Sequence, residues 1–159
     1  MLKPLVLCAA LFPATVFAWP TPEQALDAFV RFELSGGRLE TDPDTLAPLV
    51  HAPADYETIG ADTISVASTH RIGKLRCSTG SCIAEVAYVL PAAAKYGDIP
   101  LYNGTRQRTE KVRYRLLNRD GDWRVDAGSI SDAPIVDEAA LAAHLAMLQE
   151  DAGEADAEG

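Results

Sequence analysis

The stretch KLRCSTGSCIAEV, residues 74–86, decides much of the fold because it places two cysteines around a short turn between two apolar runs. Four residues separate Cys77 from Cys82, and one of them is Gly80, which readily adopts the left-handed backbone that a short hairpin loop requires. Directly opposed residues of an antiparallel pair have Cα atoms about 4.5–5.5 Å apart, a separation that a disulfide spans. The spacing therefore predicts a β-hairpin closed by a disulfide, with a redox-active dithiol or free thiols as the alternatives.

Apolar residues recur with a period of two on both sides of this turn, which is typical of half-buried strands. Upstream, the alternation from Thr63 to Ile72 predicts one strand, and residues 82–90 predict its return partner. A second hairpin is predicted from residues 105–117 and 123–130, because a turn signal rich in Asn, Asp and Gly separates them. The middle of the chain is therefore expected to form a curved antiparallel sheet.

Helical signals lie at both ends of the chain. A long N-terminal helix is predicted from Thr21, which is a good N-cap, and is expected to end at Ser35-Gly36-Gly37. A short helix is expected over residues 44–50, and residues 134–150 predict a C-terminal helix capped by Asp137. The fold class is therefore α+β, with the first two helices packed on one face of the sheet and an extra helix at the C-terminus.

Three segments resemble the nuclear-transport-factor-2-like (cystatin-like, α+β cone) superfamily: ALDAFVRFELSGGRL, DTISVASTHRIGKLR and VRYRLLNRDGDWRVD. The resemblance covers roughly residues 21–131, and the disulfide hairpin and the C-terminal helix depart from it. It implies a cone with an apolar pocket, for which the ligand-binding candidates are Tyr88, Tyr114 and Trp123; the tyrosines are equally compatible with a place in the core. Members of this superfamily include isomerases, cyclases, dehydratases and partner-binding domains, so the fold alone does not choose a function.

The N-terminal segment predicts export. Residues 1–18 combine Lys3, an apolar run and a small residue at Ala18, and are expected to be a cleaved signal peptide, with an uncleaved anchor as the alternative. Removing them discards Cys8 and leaves one domain, residues 19–149, followed by an acidic tail, residues 150–159, that is expected to be disordered. The expected location is periplasmic or secreted, without a stable membrane anchor after cleavage.

Charge is distributed unevenly. The formal net charge of −9 excludes nucleic acid and anionic membranes as favoured partners. Four basic residues nevertheless alternate with apolar ones on neighbouring strands, and these are the candidates for binding an acidic protein partner: Lys111, Arg113, Arg115 and Arg124. The alternative is a solvated face whose cations pair with Glu85 and Asp126 across the strands.

His70 is the only candidate catalytic residue, because strand alternation places it on the face that carries the apolar residues. The alternative is a partly buried histidine without a chemical role. No histidine or cysteine spacing indicates a metal site, and no cofactor motif is present, so no cofactor is expected.

The sequence thus favours an exported, non-catalytic binding domain. It is expected to recognise a protein, as inhibitor or immunity proteins do, or a small apolar ligand. The alternatives are a small cofactor-free enzyme of the isomerase, cyclase or dehydratase type, and an accessory component of the cell envelope.

Overall fold

A computed structural model describes residues 18–39, 43–53, 63–92, 95–96, 99–100 and 106–157. Nearly all of the predicted signal peptide, residues 1–17, lies outside this part of the chain. The helices are α1 (Pro22–Leu34), α2 (Pro43–Leu46) and α3 (Glu138–Ala157), and a 3₁₀ turn covers Ala127–Ser129. The strands are β1 (Val50–His51), β2 (Ser65–Val66), β3 (Thr69–Ile72), β4 (Arg76–Ser78), β5 (Ser81–Leu90), β6 (Lys95–Tyr96), β7 (Ile99–Pro100), β8 (Arg108–Arg119), β9 (Asp122–Asp126) and β10 (Ile135–Val136).

The fold is α+β, as predicted, and its main sheet has six strands in the order β1-β9-β8-β5-β3, with β4 paired to β5. The sheet is mixed rather than purely antiparallel, because β1 runs parallel to β9 with Val50 opposite Val125. The expectation of a long N-terminal helix was wrong: α1 has 13 residues, whereas α3 has 20. The Gly-rich turn that ends α1 arrives before the helix can lengthen.

Both predicted hairpins are present. In the first, Cys77 is opposite Cys82 with Cα atoms 4.0 Å apart, and the two form a disulfide. In the second, Arg119 is opposite Asp122, and the two loop residues Asp120 and Gly121 have φ angles of 54° and 87°. Positive φ at both loop positions is the geometry of a type I′ turn, whose twist matches that of the flanking strands.

The strand predicted from Thr63 to Ile72 is divided in two. Ser65–Val66 leaves the main sheet and pairs parallel with β10, because Ser65 N–H donates to the Pro134 carbonyl and Ala67 N–H to that of Val136. The chain rejoins the main sheet only at β3, which pairs with β5. This division gives the fold a small second sheet on which α3 packs.

The main core lies between α1 and one face of the six-stranded sheet, which we call the inner face. α1 contributes Leu26, Phe29 and Val30, which are all fully buried. The inner face contributes alternate residues of β5 and β8, and these are Cys82, Ala84, Val86, Tyr88, Leu90, Val112, Tyr114 and Leu116. The opposite side of the same strands, which we call the outer face, carries no helix among the described elements.

α3 begins as predicted, since Asp137 Oδ1 accepts from Ala140 N–H at 2.7 Å. Its first turns bury Leu141 against Val66 and Val136 in a second, smaller apolar cluster. The helical backbone then continues to Ala157, through most of the segment for which the acidic composition predicts disorder.

Candidate functional site

A buried polar cluster lies on the inner face, beneath α1. Register pairs Tyr88 and Tyr114 with alternate inward positions of β5 and β8, and their hydroxyl oxygens are 3.1 Å apart. The Tyr114 hydroxyl donates to Glu33 Oε2 at 2.8 Å. All three side chains are completely buried. A carboxyl group and two phenols therefore form one chain of hydrogen bonds inside the core.

Arg38 completes this cluster because the turn after α1 returns the chain toward the helix. Gly36 takes a φ of 86°, and a side chain on Gly37 would meet the Phe32 ring at 2.3 Å. The turn brings Arg38 Nη1 to 2.7 Å from Glu33 Oε1, while Nη2 donates to the Ser131 carbonyl at 2.7 Å. Glycine at both turn positions is thus the local reason that this ion pair forms.

Burial dominates the electrostatics of the cluster. Desolvation raises the pKa of Glu33 above its usual 4.5, and the Arg38 charge and the Tyr114 hydrogen bond oppose this shift. Desolvation and the nearby Glu33 also raise the pKa values of Tyr88 and Tyr114. Both tyrosines therefore remain neutral donors, and Glu33 has its two oxygens engaged by Arg38 and Tyr114.

The three ligand-binding candidates all lie on the inner side of the sheet. Tyr88 and Tyr114 belong to the closed cluster described above, whereas Trp123 is partly exposed, packs against the core and donates its backbone N–H to the Trp19 carbonyl. The structure contains no ligand-bound state, so a binding role for these residues stays a prediction.

His70 does not join the buried cluster. It is opposite Tyr88 in the register, on the inward side as the alternation predicts, but it lies on the last strand of the sheet and is exposed. Its ring is 6.3 Å from that of Tyr88, centroid to centroid, and tilted by 35°. The hydroxyl of Tyr88 is directed to Tyr114 instead. The histidine is therefore accessible but is separate from the carboxyl group.

The outer face is basic. Register places seven cations on this face of β3, β4, β8 and β9, and they are Arg71, Arg76, Lys111, Arg113, Arg115, Arg119 and Arg124. The same register places three carboxylates there, Glu85, Asp122 and Asp126. In a chain with a net charge of −9 this face has a local positive excess.

Some of these charges pair across the strands, as the alternative interpretation expected. Arg115 pairs with Asp126, and Arg124 pairs with Asp122 in a partly buried position. Arg124 also donates to the Ala47 carbonyl, so it holds α2 to the sheet. Of the four predicted partner-binding residues, Arg124 is thus the least exposed, with 19% of its side chain accessible.

Glu85 is the centre of the least neutralised part of the outer face. Lys111 Nζ is 3.0 Å from Glu85 Oε1, and Arg113 lies directly opposite Glu85 on β8. The Lys111 hydrogen bond, helped by the charges of Lys111, Arg113 and Arg71, lowers the pKa of Glu85. One carboxylate therefore faces three cations, and it cannot neutralise them all.

Ile83 adds an apolar element next to this cluster. It lies in one cross-strand row between Arg76 on β4 and Arg115 on β8, and 43% of it is exposed. A large apolar side chain between cations is the combination found in the cores of many protein interfaces, where arginine is enriched and apolar groups are desolvated.

Sequence reasoning did not identify Glu33, Arg38, Arg71, Arg76 or Ile83 as parts of either site. For Glu33 a signal exists, since it follows Phe29 and Val30 at helical spacing and so places a carboxylate on the apolar side of α1. A charge on a buried stripe requires a partner. The other four depend on strand register, which the sequence did not supply for β3 and β4.

No protein-family model matches the chain, and no curated protein or solved structure matches it significantly. None of the described helices is long and apolar enough to cross a bilayer. Within the described residues, no group of three or more His, Cys, Asp and Glu side chains is placed to hold a metal ion.

Proposed function

We propose that the protein is an exported, non-catalytic binding domain whose outer face recognises an acidic surface of another protein. The observation that carries this proposal is the group formed by Glu85 with Lys111, Arg113 and Arg71, beside the exposed Ile83. An acidic partner would supply the carboxylates that this face lacks, and complementary charge accelerates the encounter of two proteins.

Export is part of the proposal and is supported by the disulfide. Cys77 and Cys82 are bonded, and structural disulfides persist mainly in oxidising compartments. The signal-like residues 1–18 agree with a periplasmic or secreted location. We further propose that the domain is a distant member of the nuclear-transport-factor-2-like superfamily, on the motifs quoted above and the helix-on-sheet plan; membership of that superfamily does not choose the function.

The buried cluster favours a structural role over the enzymatic alternative. Glu33 and both tyrosines have no exposed surface, and their hydrogen bonds are made to one another and to Arg38. A catalytic acid or base must come within hydrogen-bond reach of a substrate. In this arrangement the cluster joins α1, the turn after it and β8, and it stabilises the fold that presents the outer face.

The test is recovery of the tagged full chain from the exported fraction of its host, followed by native mass spectrometry. We expect a co-purifying acidic protein that is lost at high salt and lost from Arg113→Glu. The matched control is Arg31→Glu, which makes the same charge change on α1, where Arg31 is 76% exposed and far from the sheet's outer side in sequence and register. Equal loss from both variants, or a partner retained by Arg113→Glu, would contradict the proposal.

A further inference from the structure

The apolar stripe of α3 extends beyond the core that it covers. Leu141, Leu145 and Leu148 follow one another at i, i+4 and i+7, so they lie along one side of the helix. Leu141 is 1% exposed and Leu145 is partly buried, but Leu148 is 52% exposed and its neighbour Met147 is 50% exposed. The second half of α3 thus presents apolar surface that the second cluster does not reach.

This part of α3 is also strongly acidic. After Leu148 the sequence has five carboxylic acids and no lysine or arginine, namely Glu150, Asp151, Glu154, Asp156 and Glu158. The helical backbone continues to Ala157, about 15 Å beyond Met147 at the usual rise per residue. The overhang of α3, defined as residues 147–157, is therefore an apolar and acidic helix end.

The outer face has the opposite chemistry. It presents the exposed Ile83 in one row with Arg76 and Arg115, and next to that row Arg113 and Lys111 share Glu85. Apolar contacts between Ile83 and the Met147–Leu148 pair would be surrounded by cations on one side and carboxylates on the other. Such an arrangement has the desolvated centre and charged rim of a specific interface.

We propose that the overhang of α3 in one molecule binds the outer face of a second molecule of the same chain. This inference rests on the proposed function, in which the outer face takes an acidic protein surface, and it names that surface as a second copy's α3. Within one molecule the recorded ion pairs of the outer face are made with Glu85, Asp122 and Asp126, and α3 packs on β2 and β10 instead. The complementary surface is thus left for another copy.

The two surfaces are different patches of the chain, so the contact is heterologous. Each molecule offers one α3 overhang and one outer face, and such a contact adds molecules head to tail rather than closing a two-fold dimer. Assembly therefore grows with protein concentration, and it weakens at about 1 M salt, where the Debye length is about 3 Å.

Sedimentation velocity on the full chain, expressed with its own N-terminal segment, tests this directly. Two variants each remove one surface: Arg76→Glu with Arg113→Glu on the outer face, and Glu150→Lys with Asp151→Lys and Glu154→Lys on the overhang. We expect wild type to associate with concentration at low salt, and each variant alone to remain monomeric. Circular dichroism and thermal melting confirm that both variants are folded.

The decisive sample is an equimolar mixture of the two variants. The outer-face variant keeps its overhang and the overhang variant keeps its outer face, so one productive contact remains and the mixture should reach about twice the mass of either variant alone and stop there. A mixture that stays monomeric, a wild type that stays monomeric, or association that neither variant changes would overturn the inference.

The proposed function is separated from this inference by the same overhang variant. If wild type is monomeric but the overhang variant still captures an acidic partner that Arg113→Glu loses, the self-association is wrong and the proposed function stands. If wild type associates as described and no other acidic protein is captured by the overhang variant, the outer face serves self-association and the proposed recognition of another protein is wrong.

Discussion

On the inner side of β5 and β8, Glu33 and Arg38 are held with Tyr88 and Tyr114 in a dry core, whereas on the outer side of the same strands Lys111 and Glu85 pair in water. The inner ion pair has side chains 13% and 0% exposed, and the outer pair 61% and 44%. Breaking a buried pair leaves an uncompensated charge, while an exposed pair changes stability little. The comparison teaches that the inner charges maintain the fold and leave the outer charges free for recognition.

The largest expected effect comes from Arg38→Met. It removes the cation 2.7 Å from Glu33 and leaves the carboxyl group buried, so we expect a loss of about 3–5 kcal/mol in the free energy of unfolding. Urea denaturation measures it.

The matched control is Arg31→Met, which breaks the exposed Asp27–Arg31 pair on the same helix, with an expected loss of about 0.5 kcal/mol or less. Similar losses from the two variants would remove the distinction between buried and exposed pairs on which the comparison depends.

The disulfide is expected to have the next largest effect, because it holds the register that separates the two faces. Replacing Cys77 by Ser together with Cys82 by Ala should lower the free energy of unfolding by about 2 kcal/mol on the chain-entropy model for so short a loop. The measurement is urea denaturation of the double variant beside wild type, with and without reductant. A reductant that lowers wild type but leaves the variant unchanged is the internal control, and a variant as stable as wild type would contradict the prediction.

The two tyrosines should differ although both are fully buried. Tyr114→Phe leaves Glu33 Oε2 without its donor and the Tyr88 hydroxyl without a partner, so a loss of about 1–3 kcal/mol is expected. Tyr88→Phe removes only the end of the hydrogen-bond chain, and we expect about 0.5–1.5 kcal/mol. Thermal and urea unfolding of the pair measure the order, and a larger loss from Tyr88→Phe would show that the chain runs in the other direction.

Glu33 should also give the wild type a distinctive dependence on pH. Its pKa is 4.5 when exposed and is raised in the fold by desolvation, so the native state binds the extra proton as the pH rises from about 4.5 to the folded value. Over that window the contribution of Glu33 to stability falls with increasing pH, and above it the contribution is constant. The difference in unfolding free energy between wild type and Glu33→Gln measures this, and a difference that rises through the window would show that the Arg38 charge outweighs desolvation.

Local sequence was sufficient for the parts of the fold that depend on neighbouring residues. The Thr21 cap of α1 accepts from Gln24 N–H at 3.3 Å, and the Asp120-Gly121 turn and the disulfide hairpin formed as expected. In each case the residue types and the conformation they favour lie within a few positions of one another.

The parts that were not predicted depend on distant residues. Strands β1, β2 and β10 have two residues each, too few to show a period, and their partners are far away in the chain. Glu33 and Tyr114 are 81 positions apart, so their hydrogen bond follows from the packing of α1 on the sheet. The outer face was predicted in part because Lys111, Arg113 and Arg115 share one strand, whereas Arg71 and Arg76 joined them through pairing.

The smallest expected effect on stability is that of Arg113→Gln on the outer face. Glu85 keeps Lys111 at 3.0 Å, so the free energy of unfolding should change by no more than about 0.5 kcal/mol. Binding to an acidic surface should nevertheless weaken, because the variant removes one of three cations around a single carboxylate, and the difference from wild type should vanish at about 1 M salt. Urea unfolding and partner titration on the same samples measure the two effects. A substantial loss of stability with unchanged binding would mean that the outer cations maintain the fold as the inner ones do, and the division of labour between the faces would be wrong.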